Sequence, residues 1–319
     1  MSRVGKSLVL AGVWALTLTV GEALTRTLLR TDIPEARRDE RALCYSWHPE
    51  LGWFPIPGST YLFEGGTVPI HVRHNAEGFR DREHGKKDRP RLAILGDSFV
   101  WGYDAEEGAR FTDLLATRFP AVEVFNLGVS GYGTDQELLL MKREFDAIAP
   151  DAVVLIFCRL NDHNDNITNF RYEGYFKPYF EKTPDGLRLR GVPVPRSFPF
   201  YLARYPLPFR SHLLRFLAER TLRIFQPAIR TVPDPTNEIF DELDRFLRER
   251  HVPLFVGMAE PDPGLAAHLD RLGVPWTGSY DVSRFQGNGL HWTPDGHRDV
   301  AQKLAHFLGE KGVLRVLKN

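Results

Sequence analysis

A three-layer α/β sandwich, with a parallel sheet of about five strands between two layers of helices, is the fold class this sequence predicts. Three observations carry that expectation. From Arg91 onward, short apolar runs alternate with segments whose apolar residues recur at helical spacing. The run AVVLIFC at 152–158 is apolar over its whole length, the pattern of a strand covered on both faces. Small polar loops follow the apolar runs directly, which places reactive side chains at the edge of an open sheet where ligands bind.

The elements follow in order. RLAIL (91–95) is a short strand, Ala109–Phe119 an amphipathic helix, and VEVFNLG (122–128) a second strand. Thr134–Ala149 carries Leu138, Leu139, Met141, Phe145 and Ile148 at helical spacing, and Pro150-Asp151 turns the chain into the strand at 152–158. A helix at 236–250, the strand VPLFVGM (252–258), a helix near 264–272, a short strand around Trp276 and a helix from Pro294 to Leu308 complete the alternation.

Two stretches stand outside it. Residues 42–90 show turn signals at Pro55, Pro57-Gly58, Gly65-Gly66 and Asn75 between short extended runs, and read as a β-rich lead-in. Residues 166–235 are crowded with Tyr, Phe and Pro and then with the basic amphipathic stretch SHLLRFLAERTLRIF (211–225), which reads as an insertion. That stretch is open to three uses: a substrate lid, a membrane-surface helix or packed structure.

Between Lys6 and Arg26 the only charge is Glu22, and Ser7 to Gly21 has none. A segment apolar all round, directly after Arg3 and Lys6, belongs in a membrane; Lys6 and Arg26 could snorkel to the two interfaces. Gly21-Glu22-Ala23 is a weak small-x-small cleavage site, so an uncleaved anchor is favoured over a cleaved signal. Arg26, Arg30, Arg37, Arg38 and Arg41 on the far side argue by the positive-inside rule for a cytoplasmic body. The short basic tail ahead of the apolar run has the shape of an export signal, and an extracytoplasmic body, periplasmic in a bacterium, is the expectation. The chain thus divides into a membrane segment at 1–30, a linker and lead-in at 31–90, and an α/β domain at 91–319 with its insertion at 166–235.

Composition narrows the function. With 43% hydrophobic and 26% charged residues the chain can bury a large core, and 41 basic against 41 acidic residues leave no charge excess for a nucleic-acid backbone. Cys44 and Cys158 lack the close Cys or His neighbours of a zinc site. No cofactor is expected. Gly5-Lys6-Ser7 imitates the end of a phosphate-binding loop but lacks both the earlier glycine and a preceding strand.

The chemistry gathers on four segments. Gly96-Asp97-Ser98-Phe99 sets a serine where a strand gives way to a helix. Serine needs a base to take its proton and N–H groups to hold the oxyanion. Asn126-Leu127-Gly128-Val129-Ser130-Gly131 and Leu160-Asn161-Asp162 end in the same region, and Gly289-Leu290-His291-Trp292 offers a base. The order GDSF, NLGVSGYG, NDHND and GLHWTPDGH resembles the four sequence blocks of the SGNH (GDSL-type) hydrolase family over about residues 91–310. HPELGW (48–53) and GFRD (78–81) resemble its membrane-anchored bacterial members.

The resemblance implies a flavodoxin-like sandwich, with Ser98 as nucleophile, the Ser98 amide, Gly131 and Asn161 as oxyanion donors, and His291 as general base. Two positions depart from the family pattern. Arg159 stands where a glycine is usual and would have to point away or contact substrate, and Asn288 stands where the triad acid is usual, three residues before His291. An amide can orient the imidazole but cannot stabilise its cation, and Asp281 or Asp295 are alternative acids. Asp162, His163 and Asp165 either contact substrate or order the loop after Asn161, while His297 has no partner cluster for a metal. The implied activity is a membrane-tethered esterase acting on an acylated glycan or lipid. O-acyl transfer and a catalytically weak subunit of a membrane assembly, docked to a membrane-protein partner, are the alternatives.

Overall fold

The computed structural model describes residues 2–28, 43–172, 174–206, 208–278, 285–286 and 291–313. The expected linker at 31–41 and the positions of Asn288 and Asp281 lie outside them.

Helix α1 (Arg3–Leu28) is 26 residues long, apolar enough to cross a membrane, and buries only Thr25. The lead-in is two antiparallel hairpins, β1 (Tyr45–His48) with β2 (Gly52–Pro55) and β3 (Thr60–Phe63) with β4 (Ile70–Arg73). The sandwich then begins with β5 (Arg91–Gly96), α2 (Ser98–Trp101), α3 (Phe111–Arg118), β6 (Glu123–Gly128), α4 (Thr134–Ile148) and β7 (Ala152–Phe157). Helix α3 starts two residues later than its pattern suggests. Gly108 takes φ +88, Arg110 is extended, and the Arg110 guanidinium is committed to Asp113 and to the Arg80 carbonyl.

After β7 come α5 (Asp162–Asn166) and the hairpins β8 (Phe170–Arg171) with β9 (Tyr175–Phe176) and β10 (Tyr179–Thr183) with β11 (Gly186–Arg190). Helices α6 (Phe198–Arg204) and α7 (His212–Phe225) follow; α7 buries none of its residues. The frame resumes with α8 (Thr236–Arg248), β12 (Leu254–Met258), α9 (Pro263–Leu272), β13 (Trp276–Thr277), β14 (Phe285–Gln286), β15 (His291–Trp292) and α10 (Pro294–Glu310).

Five parallel strands form the central sheet in the order β13-β12-β7-β5-β6. Alternation along each strand separates two cores. Ala93, Leu95, Leu127, Val153 and Leu155 join Leu138 and Met141 of α4 and Ile239 and Leu243 of α8 on one face. Leu92, Ile94, Val154 and Ile156 join Phe111 and Leu115 of α3 and Val300 and Leu304 of α10 on the other. Every residue of β5, β6 and β7 is buried, so each large aliphatic side chain contributes about 1.5–3 kcal/mol of burial. Chain order reverses around β5, with β6 on one side and β7 on the other, which opens a crevice beyond their carboxyl ends.

Candidate active site

Strand β5 delivers Ser98 to that crevice. The Asp97 carboxylate accepts the Phe99 N–H at 2.9 Å and caps α2, Ser98 is the first residue of that helix, and Gly102 ends it in the left-handed region. Helix α2 lies hard against the end of β6. A Cβ at Gly128 would sit 2.2 Å from the Trp101 nitrogen, so any other residue there would push α2 and its serine outward.

On β15, the His291 Nε2 lies 2.7 Å from Ser98 Oγ, within the distance for proton transfer between a serine and its base. Tyr103 stacks on the imidazole, with ring centroids 4.0 Å apart and planes 17° from parallel, and its hydroxyl donates to the Gly65 carbonyl at 3.1 Å. Phe99 borders the ring at 5.2 Å.

Asn161 follows β7 and donates from Nδ2 to the Asp97 carboxylate at 2.7 Å, so the residue before the serine holds the amide beside it. Gly131 follows β6 with φ +81, and a Cβ there would lie 2.7 Å from the Tyr172 ring. The Arg171 guanidinium covers that ring at 4.0 Å and pairs with Asp165, which makes the insertion a wall beside Gly131.

The remaining candidates have other duties. Arg159 points away: its guanidinium is largely exposed, 3.8 Å from Asp262, while its backbone N–H donates to Glu260 at 3.0 Å. Asp162 is fully buried and accepts the Cys158 N–H at 2.8 Å, so it orders the loop. His163 bridges Asp234 and Asp262 at 2.6 and 2.7 Å; these hydrogen bonds, Asp234's foremost, raise its pKa to about 9. His297 accepts the Phe111 N–H at 3.2 Å, and burial holds its pKa down at about 3, as suits a neutral packing residue. Asp295 is exposed and pairs with Arg298. Cys44 and Cys158 are both buried free thiols.

Beneath the serine lies a group of buried carboxyls: Asp97, Asp135, Glu137, Asp162 and Asp165. Lys177, fully buried, pairs with Asp135 and donates to the Asp165 carbonyl at 2.9 Å. Burial pushes Asp97 upward, Asp165 up to about 7, and Glu137 and Asp162 well above the carboxylate range, the latter two further raised by their acidic neighbours. Among the described residues no group of three or more His, Cys, Asp and Glu is arranged to hold a metal.

The lead-in braces the site. Trp53 of HPELGW donates to the Ser130 carbonyl at 3.1 Å, Tyr45 accepts the Ser130 N–H at 3.1 Å, and Gln136 donates to the Leu51 carbonyl at 2.7 Å. In GFRD, buried Arg80 donates to the carbonyls of Trp101, Gly102, Ala105 and His71, and Asp81 accepts the Asn126 N–H at 2.7 Å. Sequence reasoning did not give Tyr103, Tyr172, Arg171 or Arg80 a place in the site. The resemblance in GFRD was the one signal for any of them.

The chain matches the model of the GDSL-like lipase/acylhydrolase family over residues 94–298. No curated protein matches it. Solved structures similar to it include TesA, at 11% identity over 69% of this chain and 98% of that one, with a TM-score of 0.42. Another is the psychrotrophic esterase EstA from a Pseudoalteromonas species, at 9% identity over 69% and 97%, with a TM-score of 0.41. A third is the lipase/acylhydrolase from Enterococcus faecalis, at 14% identity over 70% and 96%, with a TM-score of 0.38.

Proposed function

The chain belongs to the GDSL-like lipase/acylhydrolase family, and from that premise we propose that it is a membrane-tethered serine ester hydrolase. It removes an acyl or acetyl group from an envelope glycan or lipid ester on the extracytoplasmic side, with α1 as its anchor. The observation that carries this reading is the 2.7 Å contact between Ser98 Oγ and His291 Nε2.

In the proposed reaction Ser98 Oγ attacks the ester carbonyl carbon while His291 Nε2 takes its proton. The carbonyl oxygen becomes an oxyanion held by the N–H groups of Ser98 and Gly131 and by Asn161 Nδ2. His291 then gives its proton to the departing alkoxide, leaving an acyl-serine. Water attacks the acyl carbon with His291 again as base, and the second collapse returns the proton to Ser98 and releases the acid. Position 288 is an amide where the family's acid is usual, so it cannot offset the charge on His291, which sets a low ceiling on the rate and leaves the orientation of the ring to its other neighbours. Tyr103 supplies part of that orientation by stacking.

The test is labelling of the full-length protein with a fluorophosphonate probe, with Ser98→Ala as control. Ser98-dependent labelling is the expected result. Absence of labelling overturns the esterase reading in favour of a structural or binding subunit, for which Asn288 is the supporting observation.

A further inference from the structure

Helix α7 is amphipathic, and nothing among the described residues covers its apolar stripe. Leu214 and Leu217 are about half exposed, at 46% and 49%, and Ile224 and Phe225 nearly fully, at 78% and 79%. At helical spacing these four share one face, with Arg220 beside one edge of it and Arg223 on the opposite side. A soluble domain rarely leaves such a stripe to water; with an arginine at its margin it is the pattern of a helix lying in a lipid interface.

The start of α7 is fixed to α1. Glu22 of α1 accepts hydrogen bonds from the Ser211 hydroxyl at 2.7 Å, the His212 N–H at 3.0 Å and the Leu213 N–H at 3.0 Å. The one carboxylate of the apolar segment therefore caps the α7 N-terminus, where free N–H groups favour an anion. Leu213 packs on Gly21, and an open groove of about 810 Å³ between the helices is lined by Leu18, Ala23 and Leu214, with Arg26 and Arg210 among its polar residues.

Helix geometry sets the depth of this joint. Lys6 and Arg26 are twenty residues apart, about 30 Å along a helix, which matches the hydrocarbon thickness of a bilayer. Glu22 is one turn inside Arg26. The cap thus holds the first turn of α7 at the membrane boundary, and the stripe continues from there.

We propose that α7 is an interfacial helix: Leu214, Leu217, Ile224 and Phe225 enter the acyl-chain boundary of the bilayer that holds α1, and Arg220 at the edge of that face meets anionic lipid phosphates. The inference rests on the reading of α1 as an anchor, and it brings the insertion that walls Gly131 down to the lipid surface. An ester carried by a membrane lipid, or by a glycan attached to one, is the substrate class such a placement serves.

The experiment uses the full chain reconstituted into vesicles of phosphatidylcholine with one third phosphatidylglycerol, carrying one nitroxide at a time at Leu10→Cys, Leu217→Cys, Phe225→Cys or Glu249→Cys. Collision with oxygen against collision with a water-soluble nickel chelate reads immersion. Labels at 10, 217 and 225 should favour oxygen several-fold over the label at exposed Glu249. Lipid contact at 10 with water contact at 217 and 225 overturns the interfacial helix and leaves the anchor standing. Water contact at 10 overturns the anchor, and the inference with it. Replacing the phosphatidylglycerol by phosphatidylcholine should reduce immersion at 225, and Arg220→Gln should weaken that dependence. Immersion indifferent to lipid charge overturns the assignment to anionic phosphates.

Discussion

Tyr103 lies flat on the His291 imidazole at 4.0 Å, and its hydroxyl is tied to the Gly65 carbonyl, so a turn of the lead-in fixes the plane of the proposed base. If stacking orients the ring, Tyr103→Leu should lower kcat toward a short activated ester about tenfold with KM little changed. Tyr103→Phe, which keeps the stack, should recover most of the rate. Steady-state kinetics of the two variants beside fluorophosphonate labelling checks this, since a merely structural role would not separate Phe from Leu.

Asn161 should behave as an oxyanion donor. Removing one such donor lowers kcat by about 10²–10³, and Asn161→Ala should show that loss while its melting curve stays cooperative. Equal kcat in the variant and the parent would remove Asn161 from the proposed oxyanion hole.

Restoring a carboxylate at 288 should help the proposed reaction. Asn288→Asp is expected to raise kcat by about tenfold or more, within the ceiling of about 10⁴ seen when a serine-protease triad loses its acid. A flat response alongside inactive Ser98→Ala would mean that another carboxylate, such as Asp281, already serves.

His163 makes stability depend on pH. Its pKa is raised to about 9 in the folded protein, from an ordinary 6.5, by the hydrogen bonds it donates to Asp234 and Asp262. A raised folded value favours the charged form, so this contribution is fully present below pH 6.5 and is lost as pH rises through about 9. The Tm difference between the parent and His163→Gln should be constant from pH 5.5 to 6.5 and shrink toward pH 10.

Glu137 should show the opposite preference of a buried acid. It is fully buried, neither carboxyl oxygen has a hydrogen-bond partner, and burial holds it protonated. The parent should therefore lose stability as pH rises above about 4, by up to about 1.4 kcal/mol per pH unit. Glu137→Gln should be free of that slope. Urea denaturation of both proteins at pH 5 and pH 8 reads the difference.

How much of this was legible follows from the range of each interaction. The sheet strands showed themselves because burial on both faces demands continuous apolar runs, and Asp97 and Ser98 because caps and turns are local. Asn161 reaching Asp97, Tyr103 reaching His291 and Arg80 reaching the end of α2 span 64, 188 and about 21 residues, and no residue type at either end announces its partner. The stretch at 211–225 was recognisable as amphipathic, but its cap comes from Glu22, 189 residues upstream of Ser211. From sequence alone Glu22 was only an interruption in an apolar segment.

Arg80 has a practical consequence for where the chain can be cut. Its guanidinium satisfies carbonyls on both sides of the boundary between lead-in and sandwich, those of His71 on one and of Trp101, Gly102 and Ala105 on the other. Each carbonyl stranded in the interior costs about 1–3 kcal/mol. In mild detergent, which covers the exposed face of α7, protein beginning near residue 43 should therefore fold cooperatively, whereas protein trimmed to the first sandwich strand should aggregate or melt early. The minimal folding unit is longer at its front than the stretch that carries its family signature.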